Sequence, residues 1–156
     1  MPARLLKEFL DSRGVRYVSI KHSLAYTAQE VAASAHVSGR EMVKTLVIKH
    51  DGQLALVALP ANEKLDLHQV RETTGAQNVE LATEAEFGRR FPECEVGAMP
   101  PFGNLYGMDT YVTGSLTRDR EIAFNAGTHT EVVRMSYADF ERLVSPKLVG
   151  AGVSSG

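Results

Sequence analysis

Two apolar runs joined by a tight turn constrain the fold of this chain more than any other feature. Residues 42–49 read MVKTLVIK, residues 54–59 read LALVAL, and Asp51-Gly52 stands between them. Asp-Gly between two such runs predicts a two-residue β-hairpin turn. Because nearly every residue of both runs is apolar, we expect the hairpin to be covered on both faces of its sheet.

One cationic side chain interrupts this apolar hairpin. Side chains alternate across a strand, so Lys44 shares a face with Leu46 and Ile48. An ammonium on an apolar face is costly unless an anion meets it. Two interpretations remain open: a lysine near the strand's start that extends its amine to water, or a lysine held inward for an anionic ligand. The strand alone favours the first, because lysine is almost never fully buried.

Helical and strand signals interleave irregularly along the rest of the chain. Apolar spacing predicts a helix over residues 5–10 that stops at Gly14, and another over residues 66–73 that stops at Gly75. Helix-start signals predict further helices from Thr27 to about residue 36, from Thr83 to before Pro92, and from Ser136 to residue 144. The remaining predicted strands cover residues 15–20, 78–81, 109–113, 121–125 and 129–135.

This order predicts an α/β (α+β) fold: a mixed, partly closed β-sheet wrapped by helices rather than a doubly wound parallel sheet. The 156 residues fit a single domain, residues 1–156. The tail, residues 145–156, is rich in Gly, Ser and Val, and we expect it to be loose.

Composition excludes several classes of function. A net charge of −2 argues against a broad basic face that coats nucleic acid, although a site for one or two phosphates is compatible with it. No apolar run approaches the ~20 residues of a membrane helix. The single cysteine, Cys94, forbids an internal disulfide and suits a reducing cytoplasm. The five histidines are scattered without metal-ligand spacing, so we expect no metal site and no cofactor.

Three segments are candidates for catalysis or ligand binding. Residues 97–103 form a loop stiffened by Pro100 and Pro101, either a plain connection or a set of backbone N–H groups aimed at a carbonyl. Residues 125–129 take a strand end into a glycine turn, where His129 is either a structural residue or a general base. Cys94 is flanked by two glutamates, which raise the pKa of a thiol, so an inert thiol is favoured over a nucleophile.

Four stretches, taken in order, resemble the YbaK/ProX family of free-standing aminoacyl-tRNA deacylases, relatives of the editing domain of bacterial prolyl-tRNA synthetases. They are residues 27–30 (TAQE), 42–47 (MVKTLV), 97–103 (GAMPPFG) and 121–127 (EIAFNAG). The resemblance implies that the chain hydrolyses the ester between a wrong amino acid and the terminal adenosine of tRNA. The departure from the family pattern is Pro100 before Pro101, which stiffens the loop.

The resemblance also implies roles for individual residues. Lys44 anchors the terminal nucleotide, the backbone N–H groups of Gly97 to Pro101 polarise the ester carbonyl and stabilise the oxyanion, and Gly127 positions the amino acid or the attacking water. The candidate catalytic positions are Lys44, Gly97 and Gly127. The ribose hydroxyl of the tRNA assists, since no protein base is evident. His129 matches a histidine that shapes the amino-acid pocket in some members. The candidate substrate-binding residues are Thr45, Ala98, Met99, Pro100, Pro101, Phe102, Gly103, Asn125 and His129.

The implied partners are the acceptor end of aminoacyl-tRNA and an aminoacyl-tRNA synthetase, with no membrane and no DNA. Two other functions stay open: a non-catalytic module that binds tRNA or a synthetase, and a hydrolase of small aminoacyl or nucleotide compounds. A local basic patch is a further candidate, although each of its residues singly fits a solvated surface charge. The patch residues are Lys21, Arg40, Lys49, Arg89 and Arg90.

Overall fold

The computed structural model describes residues 4–21 and 41–149. Eight strands are found there: β1 Tyr17–Lys21, β2 Met42–His50, β3 Gln53–Pro60, β4 Val79–Leu81, β5 Asp109–Thr113, β6 Glu121–Asn125, β7 Glu131–Ser136 and β8 Lys147–Val149. The helices of the described residues are α1 Arg4–Ser12, α2 Leu67–Thr74, α3 Glu84–Phe87 and α4 Tyr137–Val144. Short 3-10 helices occupy Gly103–Leu105 and Leu116–Arg118.

The eight strands form one mixed sheet, as the sequence predicts. Their order is β1-β7-β6-β2-β3-β5-β8, and β4 pairs with β2 outside this path. The β2–β6, β3–β5 and β5–β8 pairs are parallel, whereas β1–β7, β6–β7, β2–β3 and β2–β4 are antiparallel. Within the described residues the sheet is open rather than partly closed, with β1 at one end and β8 at the other.

The predicted hairpin is the centre of this sheet. Its register runs from Val43 opposite Pro60 to His50 opposite Gln53. Asp51 has φ 48° and Gly52 has φ 86°, and two positive φ values in a two-residue loop match the twist of the flanking strands. The Asp-Gly pair therefore sets the register in which Lys44 lies opposite Leu59.

Both faces of the hairpin are covered, which confirms the expectation from its composition. On one face, Val43 packs in a core with side chains of α1 and α4, including Leu10 and Phe140. On the other face, Ile48 packs with Val70 of α2. Alternation along β2 thus separates Val43 and Val47 from Lys44, Leu46 and Ile48.

The helix-start signals predicted at Thr83 and Ser136 act as caps, and α2 has a cap that no predicted signal marks. The Asp66 carboxylate accepts from the His68 N–H at the start of α2. Thr83 and Glu86 form a reciprocal capping box at α3, and the Ser136 hydroxyl accepts from the Asp139 N–H at α4. The helix predicted from Thr27 lies outside the described residues.

The expected loose tail is wrong for residues 147–149. These residues form β8, which pairs in parallel with Tyr111, Val112 and Thr113 of β5. The Lys147 amine lies 3.1 Å from the Asp109 carboxylate, and Val149 is buried in the core. Three residues are too few for a strand pattern to show in sequence, whereas an open sheet edge gives them a partner. No helix among the described residues is both long and apolar enough to cross a membrane.

Candidate active site

Lys44 lies where the pairing of β2 changes. The β2–β6 pairing ends at Val43 opposite Phe124, and the β2–β4 pairing begins only at Ile48 opposite Leu81. The next residues along β2 and β6 are Lys44 and Asn125, which therefore lie side by side on one face. The Val47 carbonyl accepts from the Ala82 N–H at 2.9 Å, so among the described residues it is residues 44–46 that form a gap along this edge of β2, at the end of β6.

Lys44 is half-buried, between the two interpretations that the sequence leaves open. Burial lowers the pKa of Lys44, the Glu63 carboxylate opposes that shift, and the Lys64 ammonium adds to it. Within residues 4–21 and 41–149, no carboxylate lies within the 4.0 Å of an ion pair with this amine. A partly desolvated ammonium without a contact ion pair is suited to receive an anionic ligand.

The loop before Pro100 and the turn after β6 are joined by backbone hydrogen bonds. The Gly127 N–H donates to the Ala98 carbonyl at 2.9 Å, and the Glu95 N–H donates to the Gly127 carbonyl at 2.8 Å. Two segments that the sequence singles out separately are therefore one unit, which we call the loop–turn unit (residues 95–101 and 125–129).

Both glycines of this unit have a backbone conformation that residues with a side chain avoid. Gly97 has φ 84° and Gly127 has φ 97°, in the left-handed region that L side chains avoid. A Cβ at Gly97 would lie 3.5 Å from His129 Cε1, an ordinary contact. The backbone conformation, rather than lack of space, therefore requires glycine at position 97.

The loop offers fewer hydrogen-bond donors than the resemblance implies. Pro100 and Pro101 have no N–H, and the Ala98 N–H donates to the Glu95 carbonyl at 3.0 Å. Of residues 97–101, this leaves the N–H groups of Gly97 and Met99, for which the described part of the chain provides no acceptor. Two neighbouring donors of this kind are what an oxyanion site requires.

His129 fastens the loop to the turn. Its ring Nε2 lies 2.8 Å from the Val96 carbonyl oxygen, and its backbone N–H donates to Glu95 Oε1 at 2.8 Å. The side chain is buried, with 6% of its surface exposed. Glu95 therefore contributes through its carboxylate and its backbone, a role that sequence reasoning missed because it treated Glu95 only as a neighbour of Cys94.

Asn125 supplies a buried polar atom next to this unit. The residue is 7% exposed, and its Oδ1 has no hydrogen-bond partner among the described residues. A buried carbonyl oxygen without a partner is costly, and such groups cluster at ligand sites. Asn125 thus remains a candidate contact for substrate.

The other predicted substrate-binding residues divide into two groups. Ala98, Met99, Pro100 and Pro101 are buried, and Met99 packs with Val47 and Leu56 on the sheet face opposite to that of Lys44. Thr45 is half-buried on the same face as Met99. Lys44 and Met99 thus lie on opposite faces of the sheet, on either side of the edge at residues 44–46.

Phe102 and Gly103 support the loop from inside the core. Phe102 is fully buried, with its ring centroid 5.4 Å from those of Phe124 and Phe140. A Cβ at Gly103 would lie 2.4 Å from the Met108 carbonyl oxygen, so only glycine fits there. Neither residue presents a surface to a ligand in this structure, because both positions are occupied by packing.

Cys94 has the properties of an inert thiol. Burial raises its pKa, Glu93 adds to that effect, and a hydrogen bond with Tyr106 opposes it. The sulfur lies 3.5 Å from the Tyr106 hydroxyl, whereas His129 Nε2 bonds Val96. Cys94 and His129 thus have separate partners, which does not support a thiol–imidazole pair.

The predicted basic patch loses one of its members. The Lys49 amine bonds the Glu86 carboxylate and lies 3.3 Å from that of Glu80. Arg90 donates to the Tyr106 carbonyl at 3.4 Å, and Arg40 lies outside the described residues. In the described ranges, no group of three His, Cys, Asp or Glu side chains is arranged to hold a metal ion.

Comparison with known proteins gives a consistent result. The profile of the aminoacyl-tRNA editing domain matches residues 22–143. A protein of Escherichia coli K12, named multifunctional Ser/Thr-tRNA deacylase ProXp-y, is 30% identical over 146 residues, which cover 90% of this chain and 86% of that protein. A proline–tRNA ligase of Bacillus mycoides is 31% identical over 75 residues, 48% of this chain but only 13% of the ligase.

A solved structure has the same fold. It is described as a candidate trans-editing enzyme for prolyl tRNA synthetase, and it superposes with a TM-score of 0.79 at 23% identity, covering 94% of both chains. The profile match spans most of the chain and includes Lys44, the loop–turn unit and β6. This chain therefore belongs to the aminoacyl-tRNA editing domain family.

Proposed function

We propose that this chain hydrolyses the ester bond of mischarged aminoacyl-tRNA, releasing the free amino acid and the tRNA. The observation that carries the proposal is the loop–turn unit, whose Gly97 and Met99 N–H groups have no acceptor among the described residues. Family membership and the name of the Escherichia coli relative support the same reaction class.

The first role belongs to Lys44. Its ammonium binds a phosphate of the terminal nucleotide, which supplies the anion that the half-buried amine lacks. This contact positions the ester at the gap along β2. Because the ester is held in place, part of the entropy that would be lost in reaching the transition state is already lost when the substrate binds.

The second role belongs to the two N–H groups. A water oxygen attacks the ester carbonyl carbon, and the carbonyl oxygen becomes an oxyanion that Gly97 and Met99 stabilise. The bond from carbon to the ribose oxygen then breaks, and that oxygen takes up the proton that the water lost. One oxyanion donor contributes about 2.7–4 kcal/mol, so two donors and good positioning suffice for an activated ester.

The proton path needs no protein base in this proposal. His129 Nε2 is bonded to Val96, and Cys94 has a raised pKa. The neighbouring ribose hydroxyl of the tRNA orients the water, and no metal ion takes part. The chain acts in the cytoplasm on the acceptor end of charged tRNA, with an aminoacyl-tRNA synthetase as a further partner.

The test is a deacylation assay on a panel of aminoacyl-tRNAs that includes Ser-tRNA and Thr-tRNA. We expect Lys44→Ala to abolish turnover while its circular dichroism spectrum and melting temperature remain those of the wild type. Lys49→Ala is the matched control, since Lys49 lies on the same strand but is engaged by two glutamates. That variant should retain activity.

Two outcomes would count against the proposal. Full activity of Lys44→Ala would remove Lys44 from the site. A wild-type chain that binds charged tRNA but releases no amino acid from any member of the panel would show a binding module instead of a hydrolase.

A further inference from the structure

We propose that Glu63 is a positioning residue for Lys44: a tethered counter-ion that keeps the ammonium charged and oriented until a phosphate of the substrate replaces it. The inference rests on the proposed function, because it takes the anion-binding role of Lys44 as given. Nothing in the sequence pattern singles out Glu63, which lies in the connection between β3 and α2.

The chain path places Glu63 beside the strand that carries Lys44. After β3, the Ala61 N–H donates to the Met42 carbonyl at 2.7 Å, and the Glu63 N–H donates to the Pro60 carbonyl at 3.0 Å. This turn keeps the connection next to the first residues of β2. Lys44 itself lies opposite Leu59, just before the turn.

A hydroxyl group fixes the Glu63 carboxylate. The Ser115 hydroxyl donates to Glu63 Oε1 at 2.8 Å, across 52 positions of sequence, and its oxygen also lies 3.3 Å from that of Thr113. Glu63 is half-buried, and no lysine or arginine among the described residues comes within 4.0 Å of it. The tether therefore holds the carboxylate close enough to attract the Lys44 amine but short of a contact ion pair.

Among residues 4–21 and 41–149, few charged groups act on this pair. Glu63 and Lys64 are the described charges that shift the pKa of Lys44, and the neighbour from β6, Asn125, is neutral. A cavity of about 420 Å³ borders Glu63, and two further charged residues, Arg118 and Asp119, also line this cavity. Its lining residues are Pro60, Asn62, Glu63, Ser115, Arg118 and Asp119.

This arrangement makes Glu63 the group that favours the charged form of Lys44. Burial and Lys64 both lower the pKa of Lys44, and among the described charged residues it is Glu63 that raises it. A contact ion pair would have to be broken before a phosphate could bind, at the cost of leaving a charge unpaired. A carboxylate held a short distance away avoids that cost and leaves one side of the ammonium open.

The first experiment needs no tRNA. The titration midpoint of Lys44 is measured from its ¹³Cε chemical shift in the wild type, in Glu63→Gln and in Glu80→Gln. We expect Glu63→Gln to move the Lys44 midpoint to lower pH. Glu80→Gln, which removes a partner of Lys49 on the same strand, should leave the Lys44 midpoint unchanged. An unchanged midpoint in Glu63→Gln would overturn the inference whatever the enzyme does.

The second experiment is the pH profile of deacylation. In Glu63→Gln the alkaline limb of kcat/KM should move to lower pH, whereas activity at neutral pH should persist, because substrate then supplies the anion. A shifted Lys44 midpoint with an unshifted alkaline limb would overturn the role of Glu63 in the reaction. A wild type without hydrolysis would refute the proposed function and leave the Lys44 titration standing as a separate result.

Discussion

The imidazole Nε2 of His129 lies 2.8 Å from the carbonyl oxygen of Val96. A carbonyl oxygen can only accept, so the ring must carry its proton on Nε2 and donate it. The bond thereby fixes both the tautomer and the orientation of the ring. Nε2 thus holds the loop, and the other ring nitrogen, Nδ1, is buried, so the geometry favours a structural role for His129 over that of a general base.

Replacing His129 tests this role. His129→Ala leaves the Val96 carbonyl without this donor, which costs about 0.5–1.5 kcal/mol, and we expect kcat to fall in parallel for all aminoacyl-tRNAs. His129→Gln keeps an N–H donor and should retain more activity than His129→Ala. The resemblance implies instead a pocket-shaping role, and a changed ranking of substrates at unchanged overall rate would favour it.

Comparing substitutions of Gly97 and Gly52 distinguishes a loss of stability caused by backbone strain from a loss of catalytic activity. Gly97→Ala introduces a side chain at φ 84°, which costs about 1–2 kcal/mol or shifts the backbone and displaces the adjacent N–H groups. We expect a large loss of kcat measured by deacylation. Gly52→Ala is the matched control, with φ 86° and open space around its Cβ. It should lose similar stability in urea unfolding and keep its activity; equal losses of activity in both variants would contradict the site.

Glu131 makes the stability of the fold depend on pH. Its carboxylate bonds the Lys7 amine and the Ser19 hydroxyl, tying β7 to α1 and β1. Burial raises its pKa, but the hydrogen bonds from Lys7 and Ser19 outweigh burial and hold the pKa below its ordinary value. A depressed carboxyl pKa stabilises the native state above the unfolded pKa, and this stabilisation is lost as the pH falls through the folded pKa.

Glu131→Gln should therefore lower the free energy of unfolding by about 1.5–3 kcal/mol at pH 7, the range for a hydrogen bond to a charged group. Urea unfolding at pH 7 and at acidic pH measures the difference, which should shrink as the wild-type carboxyl becomes protonated. Glu72→Gln, on the exposed side of α2, should have little effect at either pH. A difference independent of pH would contradict the ionic role of Glu131.

Cys94 should be dispensable for turnover. Its thiol is half-buried against Tyr106, and its raised pKa keeps it protonated at neutral pH. We expect Cys94→Ser to retain wild-type kcat/KM in deacylation and the native thiol to react slowly with Ellman's reagent. Complete loss of activity in Cys94→Ser, with folding intact, would revive a thiol nucleophile.

The parts of the fold that short sequence patterns encode were predictable. The Asp51-Gly52 turn, the Thr83 and Ser136 caps and the interleaving of strands and helices all depend on residues close in sequence. β8 was not predictable, because its three residues gain their structure from the open edge of β5.

The candidate site also contains residues that the sequence marks and residues that only the folded structure brings together. Lys44 and the glycines at 97 and 127 stand out because a strand, a turn or a resemblance marks them. Glu95, Glu63 and Ser115 do not stand out, because their contacts join segments far apart in sequence. The sequence suggests a basic patch that includes Lys49. Its partners Glu80 and Glu86 are distant in sequence and come close to it only in the folded structure.

The reacting groups assigned to residues 97–101 belong to the main chain, so ordinary side-chain exchange cannot delete them. Changes of size at Ala98 and Met99, which are buried, act on the packing around the loop while the amide hydrogens stay in place. Preference for a new amino acid would thus require no new chemistry, and removing the chemistry would require proline, or an ester in place of the peptide bond, at Gly97 or Met99.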